Sequence, residues 1–169
     1  MVVIVMGVSG AGKTTVGTHL ARTLGWTFRD GDEFHSASNI AKMHAGEPLT
    51  DEDREPWLER MRALIRETLS EGGHLVLACS ALKETYRDRL SVDLARERWV
   101  LLHASRELLA ERLAHRHGHF MAASLLDSQL STLEAPHGAL VVDVTPPPDA
   151  IVERIIDALD LGAPAQTPG

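Results

Sequence analysis

The sequence predicts an α/β fold in which a parallel sheet is covered on both faces by helices. Three observations carry that prediction. Short apolar runs rich in β-branched residues recur along the chain, and runs of this kind read as strands buried on both faces. Stretches with apolar residues at helical spacing separate them, as the right-handed crossovers between parallel strands require. The first run, Val2-Val3-Ile4-Val5-Met6, leads through a glycine-rich segment into the first helical stretch, a strand–loop–helix order typical of such folds.

The linking segment, Gly7-Val8-Ser9-Gly10-Ala11-Gly12-Lys13-Thr14, fits the phosphate-loop pattern G-x-x-x-x-G-K-[ST] at every fixed position. Glycines admit positive φ and close backbone approach, so successive N–H groups can form an anion nest at a helix N-terminus. The pattern assigns nucleotide contacts to Gly7, Ser9, Gly10, Ala11, Gly12, Lys13, Thr14 and Thr15. Lys13 reaches the β- and γ-phosphates, and the Thr14 hydroxyl ligates Mg²⁺.

The remaining elements follow in order. Val16, Leu20, Ala21 and Leu24 mark the first helix. A second strand over 26–29 ends in Asp30-Gly31-Asp32, two carboxylates at a strand's C-terminal end, where open α/β sheets bind ligands. Residues 33–50 are polar, with a short helical piece near Ile40 and Met43. Trp57, Met61, Leu64, Ile65 and Leu69 form an apolar helical stripe, with Pro56 in its first turn and Asp53 as the expected N-cap. A third strand covers 74–79. The position after it, where a metal-binding Asp is common in phosphate-loop folds, holds Ser80 instead, leaving Ser80 or Asp30 to complete a Mg²⁺ site. A fourth strand at 99–103 leads to a helix capped by Ser105, with Arg112 and Arg116 one turn apart on it. Leu125, Leu126, Gln129, Leu130 and Leu133 mark the next helix. The fifth strand covers 139–144, Thr145-Pro146-Pro147-Pro148 turns the chain, and a last helix runs through Ile151, Val152, Ile155, Ile156 and Leu159.

Composition narrows the class. The 169 residues suffice for one domain with a substantial core. A net charge of −7 argues against nucleic acid as a partner. The single cysteine excludes an intrachain disulfide. No apolar run approaches the length of a membrane span, and no basic segment precedes the first strand as a signal peptide requires. His115 and His119 have the spacing of two zinc ligands, but no cysteine is near and Gly118 interrupts the helix. A lid over the nucleotide, about 115–124, accounts better for this stretch. Residues 1–161 read as one domain, and the small, Pro-rich residues 162–169 as a disordered tail.

With these residues laid out, the chain resembles the gluconate kinases, a family of phosphate-loop small-molecule kinases related to shikimate and adenylate kinases. The resemblance runs from Gly7 to about Val144. Beyond the phosphate loop it rests on Asp30-Gly31-Asp32 with His35 and Asn39-Ile40; on Lys42-Met43 and Gly46 to Arg54 with Pro56-Trp57-Leu58; on Cys79-Ser80-Ala81-Leu82-Lys83 with Tyr86-Arg87-Asp88; and on Gly118-His119-Phe120, Gln129 and Thr132-Leu133-Glu134. Ser36 stands where many members carry proline, and His117 where many carry lysine.

The resemblance implies a three-layer P-loop kinase fold with a five-stranded parallel sheet, a small lid and a helical substrate-binding region. It implies ATP-dependent phosphorylation of D-gluconate at its 6-hydroxyl, with Mg²⁺, giving 6-phosphogluconate for the pentose phosphate or Entner–Doudoroff pathway. A cytoplasmic, homodimeric enzyme is expected, with no nucleic-acid or membrane partner. Lys13, Asp32, Arg112 and Arg116 are the expected catalytic residues, with Asp32 as base and the two arginines acting from the lid. Thr14 and Asp30 are the metal-site candidates. Asp32, His35, Arg54, Lys83, Arg87 and Gln129 are the candidates for gluconate, the arginines for its carboxylate. A same-fold kinase acting on another sugar acid or on shikimate is the alternative. A guanine-nucleotide switch is disfavoured, since the chain has no N-K-x-D motif.

Overall fold

The computed structural model describes residues 1–115 and 122–162, leaving aside the side chains of 122–124. Five strands form one parallel sheet: β1 (Val2–Met6), β2 (Thr27–Asp30), β3 (Leu75–Ala78), β4 (Glu97–His103) and β5 (Leu140–Asp143). Their spatial order is β2-β3-β1-β4-β5. The helices are α1 (Lys13–Leu24), α2 (Ala37–His44), α3 (Asp51–Ser70), α4 (Glu84–Leu90), α5 (Arg106–Ala114), α6 (Ala122–Thr132) and α7 (Pro148–Leu159). A 3₁₀ turn, Gly31–Phe34, follows β2.

The central strand shows why its sequence has no polar residue. Every residue of β1 is 0% exposed. Side chains alternate across a strand, so Val3 and Val5 join a core with residues of α1, α5 and α7, while Val2, Ile4 and Met6 join another with α3 and α4. The three layers follow from this alternation. Because all strands are parallel, their C-terminal ends share one edge. The chain leaves β1 between β3 and β4, where successive crossovers diverge and ligand crevices form.

Helix α3 starts earlier than its stripe suggests. Thr50 is its N-cap: its hydroxyl accepts from the Asp53 N–H, and the Asp53 carboxylate accepts from the Thr50 N–H. Asp53 is therefore the N3 member of a capping box, not the N-cap. Pro56 consequently lies inside the helix, past its first turn. Helix α4, only seven residues long, was too short to show a period in the sequence. β4 begins at Glu97, whose buried carboxylate accepts from the N–H groups of Val92 and Asp93 and from the Ser91 hydroxyl. A charged strand residue paid for by three donors breaks the apolar pattern, which is why the strand reads as starting later.

Candidate active site

The phosphate loop sits at the sheet's C-terminal edge. Gly12 is the N-cap of α1 at φ +91°, a conformation that favours glycine, and a Cβ there would meet nothing within 4 Å. No acidic residue lies in the first turn of α1, so its positive end stays available to an anion. Lys13 Nζ arches back to the Val8 carbonyl at 3.1 Å. From α6, Gln129 braces the loop with both ends of its amide: Oε1 accepts from the Ser9 N–H at 2.6 Å, and Nε2 donates to Ser9 Oγ at 3.1 Å. Gln129 thus meets the loop, not the region assigned to the sugar acid.

The acidic turn after β2 faces this loop. The Thr14 hydroxyl donates to Asp30 Oδ2 at 2.8 Å, and the Asp32 N–H donates to Asp30 Oδ1 at 3.0 Å. Gly31 is wedged between them against β3, where a Cβ would lie 2.8 Å from the Ala78 carbonyl oxygen. Its own carbonyl accepts from the Trp57 indole at 2.7 Å. The turn is therefore fixed from both sides. The Asp32 side chain is exposed and its carboxylate makes no hydrogen bond among the described residues. Of the two candidates for completing a metal site, Asp30 is bonded to Thr14, while Ser80 makes no side-chain hydrogen bond among the described residues. Thr14 and Asp30 offer a hydroxyl and a carboxylate, the hard oxygen donors that suit Mg²⁺.

Beyond the turn, His35 stacks on Trp57 with ring centroids 4.4 Å apart. Burial holds its pKa below the usual histidine range, with Asp32 opposing and Arg54 adding to the effect. The buried Asn39 amide lies 3.4 Å from His35 Nδ1 and donates to the Asp53 carbonyl at 2.8 Å. Lys42 closes this wall with two bonds to the Asp53 carboxylate, at 3.0 and 2.9 Å.

The two arginines proposed for a carboxylate have different surroundings. Arg54 Nη1 donates to the Leu49 carbonyl at 2.8 Å and to the Tyr86 hydroxyl at 3.2 Å, while its Nε and Nη2 carry no hydrogen bond among the described residues. Arg87 is 8% exposed. Its Nη1 donates to the carbonyls of Ala81 and Leu82, and its Nη2 to that of Glu134. Ala81 holds φ at +43°, rare for a residue with a Cβ, and Arg87 anchors that strained turn. Its fork is thus committed to the backbone, whereas that of Arg54 is partly open. Lys83 caps α4, with Nζ 3.5 Å from Asp51.

Arg112 donates through Nη2 to the Val144 carbonyl at 2.6 Å. It borders a cleft of about 220 Å³ between Gly10–Gly12 and a ridge of Pro146, Pro148 and Ile151. This places it beside the outer flank of the loop. Arg116, most of the expected lid and residues 163–169 of the expected tail lie outside the described residues. Among the described residues no cluster of metal-binding side chains suits zinc.

The sequence model of the shikimate kinase family matches residues 9–159. A gluconokinase from Gluconobacter oxydans is 48% identical over 90% of this chain and 88% of its own length. The chain belongs to the gluconokinase family. A solved gluconokinase from Sinorhizobium meliloti superposes with a TM-score of 0.82 at 46% identity, covering 94% of this chain and 90% of that one. A solved sugar kinase from Janibacter sp. HTCC2649 gives a TM-score of 0.87 at 43% identity, covering 95% of each chain.

Seen as a gluconokinase-family site, the cleft contains contributors that residue-by-residue reading missed. Trp57 reads as plain core in the stripe of α3, yet its indole N–H fixes Gly31. Asp51 lies in a run of acidic residues that looks like solvated helix start. Tyr86, the chain's one tyrosine, belongs to a family block but was given no task. The polar tip on each of these side chains was the available signal.

Proposed function

We propose that this chain transfers the γ-phosphoryl group of ATP to the 6-hydroxyl of D-gluconate, giving 6-phosphogluconate and ADP. The observation that carries the reading is the bond between the Thr14 hydroxyl and Asp30, which ties a phosphate-binding loop to a turn carrying a second carboxylate at Asp32. Membership of the gluconokinase family supplies the substrate class. The partly open fork of Arg54 near His35 and Lys83 suits a sugar acid better than a neutral sugar.

The loop N–H groups and Lys13 hold the β- and γ-phosphates and offset their charge, typically the largest contribution to such catalysis. Thr14 and Asp30 are the residues that would hold Mg²⁺, which supplies charge neutralisation on the phosphate oxygens. Asp32 accepts the proton of the attacking hydroxyl. Such a base depends on orientation toward the hydroxyl it deprotonates. The fixed turn provides that orientation. Arg54 takes the gluconate carboxylate, with His35 and Lys83 at the hydroxyls. Arg87 shapes the Ala81 turn beneath them, and Gln129 steadies the loop through Ser9. Arg112, with the Pro146–Pro148 ridge, borders the base of the nucleotide. Arg116 and a lid at 115–124 close over the phosphates, within one kinase domain spanning 1–161. The enzyme acts as a cytoplasmic homodimer.

ADP release with a panel of gluconate, other sugar acids and shikimate tests the substrate. Gluconate should give the highest kcat/KM by at least an order of magnitude. A preference for shikimate or another sugar acid would replace the reading.

A further inference from the structure

Asp51, at the first position of α3, sits against Arg54, the arginine just assigned to the substrate's carboxylate, and against Lys83 and Tyr86 beside it. The Tyr86 hydroxyl donates to Asp51 Oδ1 at 2.5 Å. Lys83 Nζ lies 3.5 Å and Arg54 Nη1 3.8 Å from the same oxygen. Both cations also flank the Tyr86 ring, Lys83 Nζ at 5.4 Å and the Arg54 guanidinium carbon at 5.5 Å from its centre. The Asp51 side chain is 67% exposed, against 29% for Arg54 and 36% for Lys83. A solvent-facing carboxylate therefore rests on donors that are more buried than itself.

The position of the cluster follows from the fold. Arg54 precedes Trp57 by about one helical turn, and Trp57 is bonded to the Gly31 carbonyl between Asp30 and Asp32. Lys83 and Tyr86 come from the start of α4, the helix that follows β3, and Gly31 is wedged against the end of that strand. With Asp51 counted, two cations and one carboxylate leave a net charge of +1 in a chain of net charge −7.

We infer that Asp51 is an internal competitor for the substrate carboxylate: Tyr86, Lys83 and Arg54 hold Asp51 until a sugar acid takes over the same donors. This rests on the gluconate reading and adds to it a specificity device. An anionic substrate exchanges one carboxylate for another, so no donor is stranded. A neutral polyol offers only hydroxyls, which pair less strongly with cations than a carboxylate does, and leaves Asp51 in place. Asp51 thus raises the barrier against neutral sugars at some cost in affinity for the acid.

Tyr86, as the chain's one tyrosine, gives a direct readout that needs no turnover. With ring-labelled tyrosine, NMR should show the Tyr86 signal moving as gluconate is added and staying put with glucitol, which has a hydroxymethyl group in place of the carboxylate. In Asp51→Asn the signal should be displaced from the start. Half-saturation by gluconate should fall about two- to fivefold, the scale of a partly exposed charge contact. The KM for ATP should not change. Gluconate that binds without moving the Tyr86 signal, or that binds Asp51→Asn no better than the parent chain, overturns the inference. If gluconate is neither bound nor phosphorylated, the substrate reading fails on its own. Acetate then serves as the probe: movement of the Tyr86 signal by acetate, larger per unit concentration in Asp51→Asn, keeps the inference, and no movement ends it.

Discussion

The Thr14 hydroxyl donates to Asp30 at 2.8 Å, joining the last residue of the phosphate loop to the last residue of β2. Asp30's other oxygen accepts from the Asp32 N–H at 3.0 Å, so one carboxylate orients both the loop hydroxyl and the next acid. A carboxylate placed this way serves the metal side of the site. Asp30→Asn should raise the Mg²⁺ concentration for half-maximal rate by roughly 10–100-fold, as loss of a metal-orienting group does. Thr14→Ala should act in the same direction and be partly rescued by added Mg²⁺. Rate against Mg²⁺ at fixed ATP checks both, and an unchanged requirement in both variants removes Asp30 from the metal site.

Asp32→Asn should lose about 10²–10⁴ in kcat, the usual contribution of a positioned base. Its ATP affinity should be preserved, because the backbone bond from Asp32 to Asp30 does not use the altered side chain. Single-turnover rates with ATP binding measured in parallel make the test. Near-normal transfer would mean that Asp32 only shapes the turn.

Arg54 and Arg87 should separate cleanly. Arg54→Lys keeps the charge but loses the planar fork, so KM for gluconate should rise about tenfold while KM for ATP stays within about twofold. Arg87→Met strands three backbone carbonyls and should cost about 1–3 kcal/mol of stability at least, seen as a lower Tm. Equal effects of Arg54→Lys on both substrates would place Arg54 outside the sugar-acid site.

Arg112→Ala should raise KM for ATP roughly 3–30-fold, the range of a cation lost from an aromatic face, and leave KM for gluconate nearly unchanged. A collapse of kcat at saturating ATP would instead return Arg112 to the transferring phosphoryl group.

Most of the architecture was legible because β1 and β3 are apolar runs, β4 and β5 each contain one, and α1, α3 and α7 carry clear apolar stripes. The phosphate loop and the Asp30–Asp32 turn were legible for a different reason: their chemistry demands particular residues at particular spacings. Exceptions arise where polar side chains do structural work that their residue type does not reveal. Arg87 looked like a substrate arginine because a sequence does not show that the turn at Ala81 and Leu82 folds its carbonyls back onto the guanidinium, or that the distant Glu134 carbonyl joins them. Gln129 looked like a hydroxyl contact because its partner Ser9 is 120 residues away. Asp53 resembled an N-cap because Thr50, three residues earlier, competes for that place with equal chemistry.

The measurement that tests the central claim most directly is NMR analysis of the product formed from ATP and D-gluconate. A single phosphomonoester on C6, formed in step with ADP, is the predicted result. Phosphate on any other oxygen, or ADP formed with inorganic phosphate and unchanged gluconate, would contradict the account.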